Sequence, residues 1–219
     1  EITDNVLGFY AVRSADAKGD IDIDGYDFVN NDYGLYAVRT NTRIRNCNFA
    51  DNARGAWITQ ADTADVKSCS FKDNIARNTQ SHFGLYIQSA AVKVDDCRFE
   101  RNDTGLYVYN TSETESLLSN LTLIDNSYMG LRTNYGKLKL TGNSKIDISG
   151  STYGIYSRYT DCELDGIAAP SGATYPLTNV DGALILKNVD IGGGRIGVYA
   201  VRNTSLVIQN TEVHNQEQH

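Results

Sequence analysis

The sequence is poor in several residue types and has no long apolar run. Two of these absences argue against a class of protein. Only 2 of the 219 residues are proline, and methionine and tryptophan occur once each. No apolar run approaches the roughly 18 to 20 residues of a membrane-spanning helix, so we expect no membrane insertion. The 3 histidines, His82, His214 and His219, are scattered, which argues against a transition-metal site.

The charge balance and composition exclude two further classes. Lys and Arg number 20 against 27 Asp and Glu, and the resulting charge of −7 argues against a nucleic-acid partner. The composition, 41% apolar and 10% aromatic, excludes a disordered chain. No signal-peptide pattern stands at residues 1–10, and the first residues already read as strand, so we expect a mature chain or a fragment.

What the sequence does contain is a repeat. The segments Cys47–Asn52, Cys69–Asn74 and Cys97–Asn102 superpose without gaps. Their register extends to a column of large apolar residues at Phe28, Phe49, Phe71, Phe99, Leu123, Ile148, Ile191 and Val213. Three residues later runs a column of mainly amides at Asn31, Asn52, Asn74, Asn102, Asn126, Ser151, Gly194 and Gln216. Such a period predicts a solenoid, in which each coil buries its apolar residues against its neighbours.

The spacing inside the repeat predicts three short strands and three corners per coil. Apolar residues five positions before the phenylalanine column run from Ile23 to Ile208, with a break at Asn143. Between them stand residues that tolerate left-handed backbone or form turns: Gly25, Asn46, Ser68, Asp96, Asn120, Asn188 and Asn210. Glycine opens the third strand at Gly8, Gly34, Gly55, Gly84, Gly105, Gly130, Gly154 and Gly197. The one long glycine spacing, 43 residues, predicts a loop insertion at about 159–182 in the seventh coil.

A triangular coil of this length resembles the pectate-lyase-like superfamily of right-handed parallel β-helices. The resemblance implies an all-β, right-handed, single-stranded parallel β-helix of about eight coils, one domain over residues 1–219. The inward asparagine column is then structural, because stacked amides satisfy one another. Cys47, Cys69 and Cys97 are expected to stack as small buried residues rather than to form disulfides. The fold itself implies no reaction.

Alternation along the glycine-led strand places one residue of each coil outward. These positions are Tyr10, Tyr36, Trp57, Tyr86, Tyr107, Arg132, Tyr156 and Tyr199, and we call them the aromatic ladder. Arg39 and Arg202 stand at its edge. Exposed rings beside hydrogen-bond donors are suited to polysaccharide or cell-surface glycan, so all ten residues are predicted to bind ligand. The alternative is that the rings only stabilise the sheet.

Catalytic signatures are weaker than this binding pattern. The lyases and epimerases of the resembled superfamily pair a basic or tyrosyl proton acceptor with a group that neutralises a carboxylate. Arg132, Arg158, Tyr107 and Tyr156 are the candidates for such a cluster. Asp51, Asp73 and Asp125 beside the asparagine column are candidates for Ca²⁺, although solvated turn acids explain them as well. No other metal or cofactor is expected.

Three functions therefore remain open. The favoured one is a non-catalytic adhesion or carbohydrate-binding module, extracellular or at the cell surface. The second is a polysaccharide lyase, epimerase or depolymerase, such as part of a tailspike. The third is a structural spacer or self-assembling filament subunit, because the ends of a solenoid present open strand edges.

Overall fold

The computed structural model describes residues 1–14, 19–75, 82–147, 150–169 and 172–215. This part of the chain contains no helix, and so none that could cross a membrane. Its strands pair in parallel with the equivalent strands of neighbouring coils and form a solenoid of about nine coils. The predicted fold class, an all-β parallel β-helix, is confirmed, with one coil more than the sequence repeat indicated.

Each coil contributes a strand to three faces, which we call A, B and C. Face A carries the phenylalanine column and consists of Ile2–Thr3, Asp27–Val29, Asn48–Ala50, Ser70–Lys72, Arg98–Glu100, Thr122–Ile124, Lys145–Asp147, Ala168–Ala169, Asp190–Gly192 and Glu212–His214. Face B, led by glycine, includes Leu7–Val12, Tyr33–Val38, Thr104–Asn110, Met129–Asn134, Tyr153–Arg158, Tyr175–Val180 and Val198–Val201. Face C includes Asp20–Asp24, Asn41–Arg45, Glu115–Ser119, Lys137–Thr141, Asp161–Asp165, Ala183–Lys187 and Ser205–Gln209. The long strands Arg54–Lys67 and Phe83–Asp95 run from face B into face C without a break.

The core is built from columns of identical or similar side chains. Phe28, Phe49, Phe71 and Phe99 stack almost parallel, with ring centroids 4.7, 4.8 and 4.9 Å apart. Leu123 continues this column, and all five side chains are at most 1% exposed. Such stacking follows from in-register parallel pairing, which sets equivalent residues about 4.8 Å apart.

The asparagine column forms a ladder inside the corner between faces A and B. Nδ2 of Asn52 donates to Oδ1 of Asn74 at 3.0 Å, and Nδ2 of Asn74 donates to Oδ1 of Asn102 at 2.9 Å. The same Asn74 amide donates to the carbonyl of Phe49, and the backbone N–H of Asn52 donates to Oδ1 of Asn74. The buried amides are thereby satisfied, so the structural interpretation of this column is confirmed.

Left-handed backbone makes the corners, as predicted for the bend between faces C and A. Asn46, Ser68 and Asp96 have φ of 52°, 52° and 53° there. The glycines that open face B have a different role. A Cβ on Gly34 would lie 2.5 Å from the carbonyl oxygen of Gly55, so at this position only glycine lets the two coils approach this closely.

The predicted insertion at 159–182 is wrong, because the described residues of this range belong to a coil of their own. Its strands Asp161–Asp165, Ala168–Ala169 and Tyr175–Val180 pair with the coils on both sides. Pro176 stands where other coils have glycine, since its neighbours Tyr175 and Leu177 pair with Tyr153 and Ile155. The repeat therefore continues through this coil, but substitution of its marker residues hides it in the sequence. Pro170 lies outside the described residues.

The predicted register of the preceding coil is also wrong, by two residues on face A and by three on face C. Leu123 pairs with Ile146, which therefore takes the place assigned to Ile148, and Leu118 pairs with Leu140, which fills the gap predicted at Asn143. The reason is Gly142, whose φ of 74° puts the left-handed bend earlier than expected. Ile148, like Gln216 in the amide column, lies outside the described residues.

The cysteines are buried and free, as predicted. Sγ of Cys47, Cys69 and Cys97 each donates to the carbonyl of the residue two positions earlier, at 3.0 to 3.2 Å. Burial raises the pKa of Cys162 to about 12. The four thiols fill space in the core, and the raised pKa of Cys162 is opposite to the low pKa of a reactive cysteine.

Candidate functional site

The aromatic ladder faces outward, as the alternation predicted. Leu85 and Ile87 are fully buried, whereas Tyr86 between them is half-buried. Tyr86 pairs with Trp57 on one side and Tyr107 on the other, in the register expected. The ladder therefore lies on the outer surface of face B.

The rings of the ladder pack against one another but are not stacked flat. The centroid distances are 5.5 Å for Tyr10–Tyr36, 5.7 Å for Tyr36–Trp57, 5.2 Å for Trp57–Tyr86 and 4.9 Å for Tyr86–Tyr107. The interplanar angles rise along this series from 34° to 76°. Because the rings meet tilted or edge-on, their faces are not fully taken up by their neighbours.

A second row of rings, which sequence analysis missed, lies beside the ladder. It holds Tyr33, Phe83, Tyr153 and Tyr175, each at the position before the residue that opens face B. Tyr33 lies 5.4 Å from Tyr36 and 5.8 Å from Trp57, and Phe83 lies 5.3 Å from Tyr86. The second row widens the aromatic surface at Tyr33, Tyr153 and Tyr175, whereas Phe83 is buried beneath it.

The coil that the sequence analysis missed also contributes a residue, Thr178, to the ladder. Thr178 pairs with Tyr156 on one side and with Tyr199 on the other. Its side chain is only 2% exposed, and its hydroxyl has no hydrogen-bond partner. The ladder thus has a gap between Tyr156 and Tyr199, bridged in the second row by Tyr175, which lies 5.4 Å from Tyr153 and 6.0 Å from Tyr199.

Arg132 is the one charged member of the ladder. Its guanidinium lies over the ring of Tyr107, 4.4 Å from the centroid, and it pairs in register with Tyr156. No carboxylate among the described residues forms a salt bridge with Arg132, and its Nε is buried without an acceptor. Arg101 and Arg202, by contrast, form close ion pairs with Asp73 and Asp181. Arg132 therefore keeps its charge available for an anion on this face.

Two tyrosines near Arg132, Tyr86 and Tyr107, have pKa values that disfavour a role as proton acceptor. Burial raises the pKa of Tyr86 to about 12, and it also raises the pKa of Tyr107, although the nearby Arg132 partly offsets that rise. The hydroxyl of Tyr107 accepts a hydrogen bond from Asn134 at 3.0 Å. A tyrosyl base needs the opposite shift to work near neutral pH.

The remaining predicted site residues lie at the edge of face B. Arg39 is exposed, with a left-handed φ of 57°. Arg202 donates from Nε and an Nη to Asp181 at 2.6 and 2.7 Å. Arg158 turns away from the ladder and lies over the ring of Tyr159 at 4.7 Å. Of the four catalytic candidates, the structure thus brings together Arg132, Tyr107 and Tyr156 but not Arg158.

The aspartates considered for Ca²⁺ take up left-handed corner positions. Asp51, Asp73 and Asp125 have φ of 56°, 55° and 52°, and Asp73 is paired with Arg101 at 2.8 Å. Within the described ranges, no three His, Cys, Asp or Glu side chains come together as metal ligands would. The left-handed backbone, which aspartate tolerates, therefore explains why aspartate occupies these corner positions.

A three-faced parallel solenoid with an inward asparagine ladder defines the class of right-handed β-helices. The family model for the right-handed β-helix region matches residues 2–153, and the chain belongs to this family. No curated protein matches the sequence significantly. Among solved structures, the A-module of the mannuronan C-5 epimerase of Azotobacter vinelandii is similar, with 14% identity and a TM-score of 0.48. The match covers 90% of this chain but only 56% of that one.

Proposed function

We propose that the protein binds a polysaccharide through the aromatic ladder, as a non-catalytic module of an extracellular or cell-surface protein. The observation that carries this proposal is the outward row of rings in the ladder, interrupted by Arg132 and Thr178 and widened by rings of the second row. Tyr10 and Tyr199 are 55% and 44% exposed, and the ladder residues between them are half-buried, except for the buried Thr178. Sugar rings present apolar C–H faces, for which tyrosine and tryptophan supply an apolar body with a polar group.

The charge on Arg132 favours an anionic glycan over a neutral one. A guanidinium without a carboxylate partner gains a charge-assisted hydrogen bond when a ligand carboxylate or sulfate arrives. Its attachment to Tyr107 restricts its motion, so less conformational entropy is lost on binding. Arg132 would accordingly fix the position of the glycan, and the rings would supply contact area.

Trp57 offers a direct test, because it is the only tryptophan and lies within the ladder. We expect its fluorescence to change on titration with a uronate-containing or sulfated polysaccharide. Arg132→Gln should weaken that binding by about tenfold or more, since a hydrogen bond to a charged group contributes about 1.5–3 kcal/mol. Tyr26→Ala is the matched control, because Tyr26 is 51% exposed but belongs to the corner beside face A. If no glycan of a panel changes the fluorescence of Trp57, the proposal is refuted.

The lyase, epimerase or depolymerase alternative rests on the contact between Arg132 and Tyr107. The raised pKa of Tyr107 opposes its use as a proton acceptor, so we expect binding without turnover. Incubation with uronate polymers, followed by ultraviolet absorbance, separates lyase activity from binding. Formation of unsaturated product that is lost in Arg132→Ala would establish the lyase in place of the binding module.

A further inference from the structure

A groove of about 680 Å³ lies where face B turns into face C, beside the middle of the solenoid. Its lining includes Gln88, Tyr109, Ser112, Glu113, Tyr135 and Tyr159. The three tyrosines form a row of their own, with centroids 5.2 Å apart at both steps. None of the three belongs to the aromatic ladder, so the groove is a separate site. Its volume falls within the range of small-molecule pockets.

One wall of the groove is a short loop at 111–114, and a buried amide holds it in place. Nδ2 of Asn110 donates to the carbonyl of Thr114 at 2.6 Å and to Oγ of Ser116 at 3.0 Å. Oδ1 of Asn110 accepts from the backbone N–H of Ser112 at 2.8 Å, and Oγ of Ser112 donates to the carbonyl of Ala90 at 2.5 Å. The wall is therefore formed before any ligand arrives.

The opposite wall is made by Tyr135 and Tyr159, whose backbone is unfavourable for their residue type. Their φ values are 63° and 53°, in the left-handed region that bulky side chains rarely enter. Their rings are nevertheless 44% and 41% exposed. The equivalent corner holds Gln60 in another coil, so the fold does not require an aromatic ring there. Strain retained at an exposed position is typical of a functional site.

The polar groups around these rings match the hydroxyls of a sugar. Glu113 is the only charged residue of the lining, and one of its carboxylate oxygens lies 3.5 Å from Nζ of Lys137. The other oxygen can accept hydrogen bonds from hydroxyls. Oε1 of Gln88 already accepts from Thr59 at 2.6 Å, which leaves its NH₂ group as a donor. We propose that the groove binds a neutral sugar, one or two hexose units long. The described lining offers no cation to a uronate carboxylate, so this ligand differs from the anionic glycan proposed for the ladder.

Ligand-observed NMR with the whole chain tests this proposal. The probes are the neutral disaccharides maltose, cellobiose and lactose, with glucuronate as the anionic comparison. We expect saturation transfer to at least one disaccharide and none to glucuronate. Tyr135→Asn and Tyr159→Asn should each weaken binding by about tenfold, because they remove a ring while asparagine tolerates the left-handed backbone. Gln60→Asn is the matched control, made at the same corner in a coil outside the groove lining.

Three outcomes would overturn the proposal: no transfer to any neutral probe, preference for glucuronate, or unchanged binding in both tyrosine variants. Thermal melts of all variants show whether they are folded. If a tyrosine-to-asparagine variant fails to fold, Glu113→Gln replaces it, because Glu113 lies in the exposed loop. Loss of the Glu113 carboxylate should weaken binding of the neutral disaccharide. The titration of the ladder, followed by Trp57 fluorescence, uses different ligands and a different signal. One of the two binding proposals can therefore be refuted while the other stands.

Discussion

Phe71 and Tyr86 lie on opposite sides of the wall of the solenoid. Phe71 is fully buried, and its ring stacks between those of Phe49 and Phe99 at 4.8 and 4.9 Å. Tyr86 is only half-buried, but it contacts Trp57 and Tyr107 at 5.2 and 4.9 Å. A core ring and a surface ring of similar size can therefore be compared directly.

We expect Phe71→Ala to lower the free energy of unfolding by about 3–5 kcal/mol, through lost burial and an unfilled cavity. From sequence alone the cost of Tyr86→Ala would be no more than about 1 kcal/mol. Its packing against rings in both rows raises that expectation to about 1–3 kcal/mol. Urea denaturation of the two variants measures both values. A larger loss at Tyr86 than at Phe71 would contradict the assignment of the two faces.

Which side chains point outward could be predicted, because alternation after a glycine fixes the parity of each face B strand. The second row of rings could not be predicted in this way. Its positions hold Tyr33, Arg54, Phe83, Thr104, Met129, Tyr153 and Tyr175 in successive coils, so no single residue type marks the row. The ring contacts that unite the two rows depend on side-chain rotamers, which a sequence pattern does not specify.

At the scale of the strand, Asp161–Asp165 shows why a whole coil was missed. Its inward residues Cys162 and Leu164 are at most 2% exposed and pair with Leu138 and Leu140, so its own alternation is regular. The concealment arises at the two other strands, where alanine and Pro176 replace the phenylalanine and glycine that mark the repeat. Pairing with both neighbouring coils stabilises such a strand even without the marker residues.

The same strand carries an ion triad that should make stability depend on pH. Glu163 lies between Lys187 and Lys139, each 3.1 Å from the same carboxylate oxygen, and both lysines lower its pKa. A carboxyl whose pKa is lower in the folded state stabilises the fold above its unfolded pKa. That contribution disappears as the pH falls through the folded pKa. We therefore expect stability to decline below about pH 4.5.

Urea midpoints measured at neutral pH and at intervals down to acid pH test this dependence in the wild type and in Glu163→Gln. The variant should lose stability at neutral pH and show a shallower decline in acid. Asp95, whose pKa is lowered by hydrogen bonds from Ser119 and Asn120 and by Lys67, supplies a remaining acid dependence in both proteins. Identical pH profiles would show that the triad contributes nothing.

At the scale of the whole molecule, the strand Ser205–Gln209 exposes residues of the core columns. Leu206 and Ile208 are 50% and 52% exposed, whereas their partners in the preceding coil, Leu184 and Leu186, are fully buried. Within the described chain, only one side of this strand is paired. An open parallel edge with apolar side chains recruits further strands.

We accordingly expect a protein made of these 219 residues alone to associate as its concentration rises, in line with the self-assembly that the sequence left open. Light scattering over a dilution series measures it. Leu206→Lys and Ile208→Lys should suppress association, because both side chains follow the core columns. Val207→Lys adds the same charge one residue away, on the outer side of the strand, and serves as the control. Association that persists unchanged in both core-column variants would place the contact elsewhere.

The glycines that open face B also determine how such a protein can change during evolution. A point mutation at Gly34 would push its side chain against the carbonyl of Gly55, so a single exchange disturbs two coils at once. Loss or duplication of one complete coil would leave each glycine facing an equivalent carbonyl and each asparagine an equivalent amide. Gain and loss of whole coils is therefore the easiest route by which this lineage could lengthen or shorten its solenoid.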